Sequence, residues 1–463
     1  MTALIKPITA LLMSASIILA ANGLEGVLLP LRGAMERFSD IEIGLVGSAY
    51  FAGFTLGCLT GSRIIARVGH IRAFTVFTAI AALSPLIEAM WPEPLLWWCL
   101  RAVTGVCFAG ILNVVESWLT SVATNANRGQ LMGTYAFINF SSLTLGQQLI
   151  NLGSPADFRL FSLVAILCSL AAVPLALTLS PPPAPPLRPR LQLRRIYDVS
   201  PAAVAGCLGA GLANGAFWAL APVYARDSGL PDFQIAAFVS LAVLGGALAQ
   251  WPIGRVSDRL DRRLVLAALC AGAALIGMVL FLLPDAAPAL RLTLSALFGA
   301  CALPVYWVSF AHANDLAERG EAVSVSSSLL LLFGLGAIVG PIAAALLKQQ
   351  LGAGSLFLYT AGIHLLVALA VLYRMTRRSP PRRQERAGYD DPPMSARPPS
   401  LNWRCRMLHL PRMRVPAGAN RNAPPFAAPY VATLAAGIRK VRRNPRRSHA
   451  YWKLAPSCKF AAR

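Results

Sequence analysis

The sequence predicts an all-α polytopic membrane protein, with twelve transmembrane helices in two pseudo-symmetric halves of six. Three observations carry this. The 463-residue chain is 56% hydrophobic and only 13% charged, with a mean hydropathy of +0.58, which is not a soluble composition. It holds twelve apolar runs of about 20 residues, the length a bilayer core demands of a helix. It also repeats itself. A gapless shift of 192 residues pairs Asn22-Gly23 with Asn214-Gly215, Pro30 with Pro222, Asp40 with Asp232, Ile43 with Ile235, Gly53 with Gly245 and Arg67 with Arg259. One shift serving all of these is the signature of a duplicated bundle.

The runs fall at 8–30, 43–62, 73–91, 95–121, 131–152, 158–179, 200–222, 233–253, 264–283, 289–312, 324–347 and 353–374. Each must be helical, because lipid offers the backbone no hydrogen-bond partner. The first has Lys6 ahead of it, as a signal peptide would, but it is long for one. Its Asn-Gly…Pro pattern also recurs in the seventh run, so it is read as a retained helix. In the second run Gly53, Gly57 and Gly61 share one face, a spacing that lets helix backbones approach closely. Two basic knots follow the second and eighth runs, GSRIIARVGHIRAF from Gly61 and RVSDRLDRRLVL from Arg255. Residues 1–180 therefore form the first half and 200–376 the second. Between them, 181–199 is a proline- and arginine-rich linker containing SPPPAPPLRPRLQLRR. The remaining 377–463 is a basic tail without a spanning run, expected to be disordered and able to touch anionic lipid headgroups. Its composition also suits out-of-frame translation of GC-rich sequence.

Charge location sets topology and excludes other classes. From Met375 onward the chain carries 20 Lys and Arg against 3 Asp and Glu, which is 17 of the net +22. The basicity is thus a property of the tail, and no nucleic-acid partner is expected. Within the bundle, Arg63, Arg67, Arg72, Arg128, Arg188 to Arg195, Arg255 to Arg263 and Arg319 all fall on even-to-odd loops. The positive-inside rule puts that side, and both termini, in the cytoplasm of a bacterial inner-membrane protein. The nine cysteines are scattered, with no CxxC pair, so no metal and no disulfide framework is predicted. Gly334-Leu-Gly336-Ala-Ile-Val-Gly340-Pro341 lies within an apolar run and reads as helix packing rather than a nucleotide loop. No G-x-x-x-x-G-K-[ST] loop is present. No cofactor and no enzymatic activity are expected, and energy must come from an ion or substrate gradient.

Two six-helix halves with a basic loop after the second and eighth helices resemble the major facilitator superfamily. Gly254-Arg-Val-Ser-Asp258-Arg259-Leu-Asp261-Arg262-Arg263 resembles that family's loop signature, with Asp261 in place of a glycine. The first knot keeps Arg67, Gly69 and Arg72 but has Ala66 where an acid usually stands. Leu100-Arg101-Ala-Val-Thr-Gly105 resembles its fourth-helix motif. RVGHIRAF (67–74), Glu116-Ser-Trp-Leu119 and AHANDLAERGE (311–321) resemble the YcaD-like branch of permeases. The resemblance covers residues 1 to about 380. It implies a cytoplasmic gate built from Arg67, Gly69, Arg72, Asp258, Arg259, Arg262, His312 and Asp315. It also implies a cavity lined by helices one, four, seven and ten.

Ionisable groups at membrane depth cost at least about 2.5–3.5 kcal/mol and so face a cavity or a partner. Arg101 and Glu116 are fifteen residues apart, close to a whole number of turns, with Asn113 on the same face. Glu25 follows Asn22 by one turn. The expected cavity residues are Asn22, Glu25, Arg101, Asn113 and Glu116 in the first half, and Asn214, Trp218, Tyr306 and Trp307 in the second. Glu116 is the expected proton carrier, whereas Glu88 is expected to be solvated at the outer end. The function expected is secondary active transport of a small solute by alternating access, coupled to a proton. The alternatives are a non-transporting receptor or sensor on the same fold, or a drug or lipid exporter.

Overall fold

A computed structural model describes residues 8–123, 128–178, 183, 193–317 and 322–377, all within one compact unit. The expectations for the tail beyond 377 and for most of the linker lie outside these residues. Fourteen α-helices follow one another, with no strand among the described residues. They are α1 (Thr9–Met35), α2 (Asp40–Val68), α3 (His70–Met90), α4 (Pro94–Val122), α5 (Arg128–Gln148), α6 (Phe158–Ala176) and α7 (Leu193–Val199). The second series is α8 (Pro201–Asp227), α9 (Asp232–Arg259), α10 (Arg262–Leu282), α11 (Pro288–Ala302), α12 (Pro304–Asp315), α13 (Ala322–Leu351) and α14 (Ser355–Arg377).

Eleven helical stretches among the described residues are long and apolar enough to cross a membrane. Two of the expected spans differ from the simple reading. The tenth is notched at Leu303, which keeps helical dihedrals, because the Pro304 ring removes a backbone donor, yet Pro288–Asp315 remains one stretch long enough to span. The fifth, α5, is helical and extends through a 3₁₀ turn, Leu149–Leu152, yet falls short in hydropathy. The cause is its polar content, which includes Asn139, Ser141, Ser142, Gln147 and Gln148.

Helix ends are set by local chemistry where the chain meets water. Ser39 and Glu42 form a reciprocal capping box at the start of α2, satisfying two orphan donors at once. Asp157, Ser200 and Asp261 accept from backbone N–H groups at the starts of α6, α8 and α10. Gly69, at φ 87°, turns the chain between α2 and α3 in a conformation that only glycine adopts without strain.

The duplication is visible in backbone contacts. A methyl group added at Gly53 would overlap the carbonyl of Ala102, and one at Gly105 would overlap that of Tyr50. In the second half Gly245 meets Ala296 and Gly299 meets Ala242 in the same way, so α2–α4 and α9–α11 form one reciprocal clasp twice. The pair α1–α5 is likewise repeated in α8–α13, with Gly146 on Ala20 matched by Gly340 on Leu212. Such contacts drive association between helices in lipid, where apolar side chains gain nothing by leaving the solvent.

The halves meet along α2–α13 and α5–α9. Along the first seam a methyl at Gly44 would stand 2.9 Å from the Pro341 carbonyl, and beside it one at Gly47 would stand 2.5 Å from the Ala219 methyl of α8. Lys348, at the end of α13, reaches Asp40 at 2.5 Å and Asp227 at 2.8 Å. The end of the bundle opposite the basic knots is therefore shut by both packing and charge.

Candidate substrate cavity

Glu25 lies in the middle of α1 and Arg101 two turns into α4, so no chain end is near to solvate either. Arg101 Nη1 stands 2.9 Å from Glu25 Oε1, with the side chains 8% and 2% exposed. The ring of Tyr50 lies 4.5 Å from the guanidinium carbon, close enough for a cation–π contribution. The Tyr50 hydroxyl donates to Asn22 Oδ1 at 3.4 Å.

These four groups line a cavity of about 220 Å³ whose wall also includes Phe51 and Gln147 and, from the second half, Trp218, Ala219 and Val239. The cavity thus lies between the halves. Gln147 is fixed across the seam, accepting at Oε1 from the Ser240 hydroxyl at 2.9 Å, while Gln148 Nε2 donates to Ser240 Oγ at 2.7 Å. This explains the polarity at the end of α5, where Gln147 and Gln148 serve the seam.

Asn22, Glu25, Arg101 and Trp218 accordingly line one site. Asn214 is buried in α8 and lies outside its wall. Glu116 does not share the surroundings of Arg101. It is exposed, yet protein surrounds it, and Cys58, Tyr135 and, from the other half, Tyr306 are near enough to feel its charge. That is the condition of a group lining an open vestibule. Asn113 stands against Gly61 at the same depth, with its amide nitrogen buried and unpaired. Tyr306 packs on Phe333 with ring centroids 5.1 Å apart, while Trp307 is half exposed.

Glu88 corrects the expectation of a solvated group. It is fully buried, because α3 continues through Pro85 to Met90 and α4 folds back over it. The buried indole of Trp97 donates to the Glu88 backbone oxygen at 3.1 Å. Tyr50 and Gln147 were missed in the sequence. Gln147 carried the usable signal, an amide within a spanning run.

At the basic end, Arg262 Nε reaches Asp315 Oδ2 at 2.6 Å and Arg262 Nη2 reaches Asp258 Oδ1 at 2.9 Å. His312 is buried beside them, and Arg259 is exposed. Arg67 and Arg72 are exposed and form no ion pair among the described residues. Asp261 pairs with Arg263 at 2.8 Å. Partial burial pushes the Asp261 carboxyl up, but the hydrogen bonds and charge of Arg263 outweigh it and hold the group below the usual aspartate range.

A helical bundle closed at one end, with a charged, aromatic-walled cavity between two repeated halves, is the architecture of a multi-pass membrane transporter. Comparison with known proteins agrees. The sequence profile described as Major Facilitator Superfamily matches residues 11–332, and the chain belongs to that family. The "Uncharacterized MFS-type transporter YcaD" of Escherichia coli O7:K1 is 30% identical over 378 residues, covering 79% of this chain and 95% of that protein. Its counterpart in Shigella flexneri is 29% identical over the same span and coverage, which places the chain in the YcaD-like branch. Among solved structures, the nucleoside transporter NupG is similar with a TM-score of 0.65, 15% identity, and coverage of 80% of this chain and 99% of that one. A bacterial homolog to the human lysosomal transporter Spinster, in an inward-facing and occupied conformation, gives a TM-score of 0.67 at 14% identity, covering 83% and 99%. These two likenesses concern the fold.

Proposed function

We propose that the chain is a secondary active permease of a bacterial inner membrane, moving a small polar or amphipathic solute by alternating access with a proton as the coupling ion. The observation that carries this reading is the position of the Glu25–Arg101 cavity. It lies between the halves, beneath an end closed by Lys348 and the Gly44–Pro341 seam. The expected topology makes that end periplasmic and the vestibule around Glu116 cytoplasmic. The second knot spends Arg262 on Asp258 and Asp315 of its own half. This supports a state in which the cytoplasmic gate is disengaged while the opposite gate is shut, as rocking halves require. The cavity matches a modest solute. A guanidinium and a carboxylate offer both signs of charge, Asn22 and Gln147 offer amides, and Tyr50, Phe51 and Trp218 offer ring faces.

The test is transport by the purified full chain in liposomes, using solutes first selected by thermal-shift screening. Uptake driven by an imposed pH gradient and abolished by a protonophore supports the reading. Binding without flux, unchanged in Glu25→Gln, refutes it and leaves a sensor.

A further inference from the structure

The acid–base cluster behind the cavity holds one carboxylate more than its cations neutralise. Glu88 is 0% exposed, and both of its carboxylate oxygens lack a hydrogen-bond partner. The charged groups acting on it are Glu25 from α1 and Arg101 from α4. Around that pair stand Tyr50 from α2 and Cys168 from α6, neither of which supplies a positive charge. The one guanidinium is engaged by Glu25 at 2.9 Å. A second carboxylate ionised in the same dry place, without a donor, would cost several kcal/mol. Arg101 keeps an unused buried donor, Nε.

We infer that Glu25, Arg101 and Glu88 form a one-proton binding site, with the proton on Glu88 in the conformation described here. The partner of Arg101 decides where the proton sits. With Arg101 on Glu25, the site is Glu25 carboxylate, guanidinium and Glu88 carboxylic acid, with no net charge. When Arg101 turns from Glu25 to Glu88, the one proton passes from Glu88 to Glu25, and the site stays neutral. Glu25 faces the cavity while Glu88 does not line it, so exchange with solvent runs through Glu25. This rests on the permease reading for its purpose, but the site itself exists whether or not solute moves. It reassigns the coupling proton from the exposed Glu116 to the dry Glu88.

The test needs protons alone. Infrared spectra of the full chain in liposomes, recorded across a pH titration, are expected to show a protonated-carboxyl band at neutral pH. In Glu88→Gln that band should lose the intensity of one carboxyl, and in Glu93→Gln, on an exposed loop, it should be unchanged. Should Glu88→Gln fail to fold, Glu88→Asp is expected to keep the band at a shifted frequency. An unchanged band in Glu88→Gln, an unshifted band in Glu88→Asp, or no such band in the parent protein overturns the proposal. None of these readouts requires a transported solute, so failed uptake and a failed proton site are separate results.

Discussion

Lys348 Nζ lies 2.5 Å from Asp40 Oδ1, joining the last turn of α13 in one half to the first turn of α2 in the other. The lysine side chain is 7% exposed and also reaches Asp227 at 2.8 Å, so one ammonium ties three helix ends together. A hydrogen bond to a charged group contributes about 1.5–3 kcal/mol, and each 1.4 kcal/mol is roughly tenfold in an equilibrium. Lys348→Ala is therefore expected to shift the balance of the two end states toward opening by about ten- to a hundredfold. The check is a cysteine placed at Phe51, on the cavity wall, in a cysteine-free background. A membrane-impermeant thiol reagent added from the Lys348 side should label it faster once Lys348 is removed.

The Glu25–Arg101 pair makes a graded prediction. Removing one member of a buried ion pair costs about 3–5 kcal/mol when the other is left uncompensated. Arg101→Gln strands Glu25 and should bear that cost. Glu25→Gln leaves Arg101 with Glu88 as an alternative acid, so its loss should be distinctly smaller. Thermal unfolding of the detergent-solubilised variants measures the order, and the double variant Glu25→Gln/Glu88→Gln should lose more than the sum of the two single changes.

The paired glycine clasps predict symmetric damage. Gly53→Ala drives a methyl into the Ala102 backbone, and Gly245→Ala does the same at Ala296. Backbone cannot step aside as a side chain would, so each should cost at least the 1–3 kcal/mol typical of overpacking. Gly362→Ala, which meets no atom within 4 Å, is expected to be neutral or stabilising by about 0.5–1 kcal/mol, since alanine is the better helix former. Unfolding temperatures of the three variants check this.

Asp261 supplies a pH dependence at the basic end. Its carboxyl is held below the usual range by Arg263. The stabilisation is therefore fully present above the ordinary aspartate value of about 3.9 and is lost as pH falls through the lower folded value. Asp261→Asn should remove this acid-dependent part of stability while keeping an N-cap acceptor for α10. Unfolding followed from neutral to acid pH, with and without the substitution, measures the difference.

Most of the architecture was legible in the chain because lipid leaves few choices. Spanning runs must be helices, and the 192-residue shift predicted contacts that the Gly53 and Gly245 clasps repeat. The site was legible in part. Glu25 and Arg101 stand out as charges inside apolar runs, but the sequence did not pair them with each other, and only the packing of α1 against α4 does so. Glu88 misled because distance along a helix from its end does not reveal whether the next helix folds back over it, as α4 does through Trp97. Glu116 and Arg101 differ in surroundings because α4 passes from a buried, ion-paired region to an exposed one within four turns, which their spacing along the helix does not reveal. Tyr50 was hidden by its glycine-rich neighbours, which read as packing.

Spin-label distances taken at both ends of the same protein address the rocking of the two halves most directly. One pair joins Met35 to Leu351 at the Lys348 end, and the other joins Arg67 to Arg259 across the basic end. In the full chain in lipid, rocking halves give a short first distance and a long second one, exchanged together when Lys348→Ala releases the closed end. If the two distances change independently, or neither changes, the halves do not alternate and alternating access is contradicted.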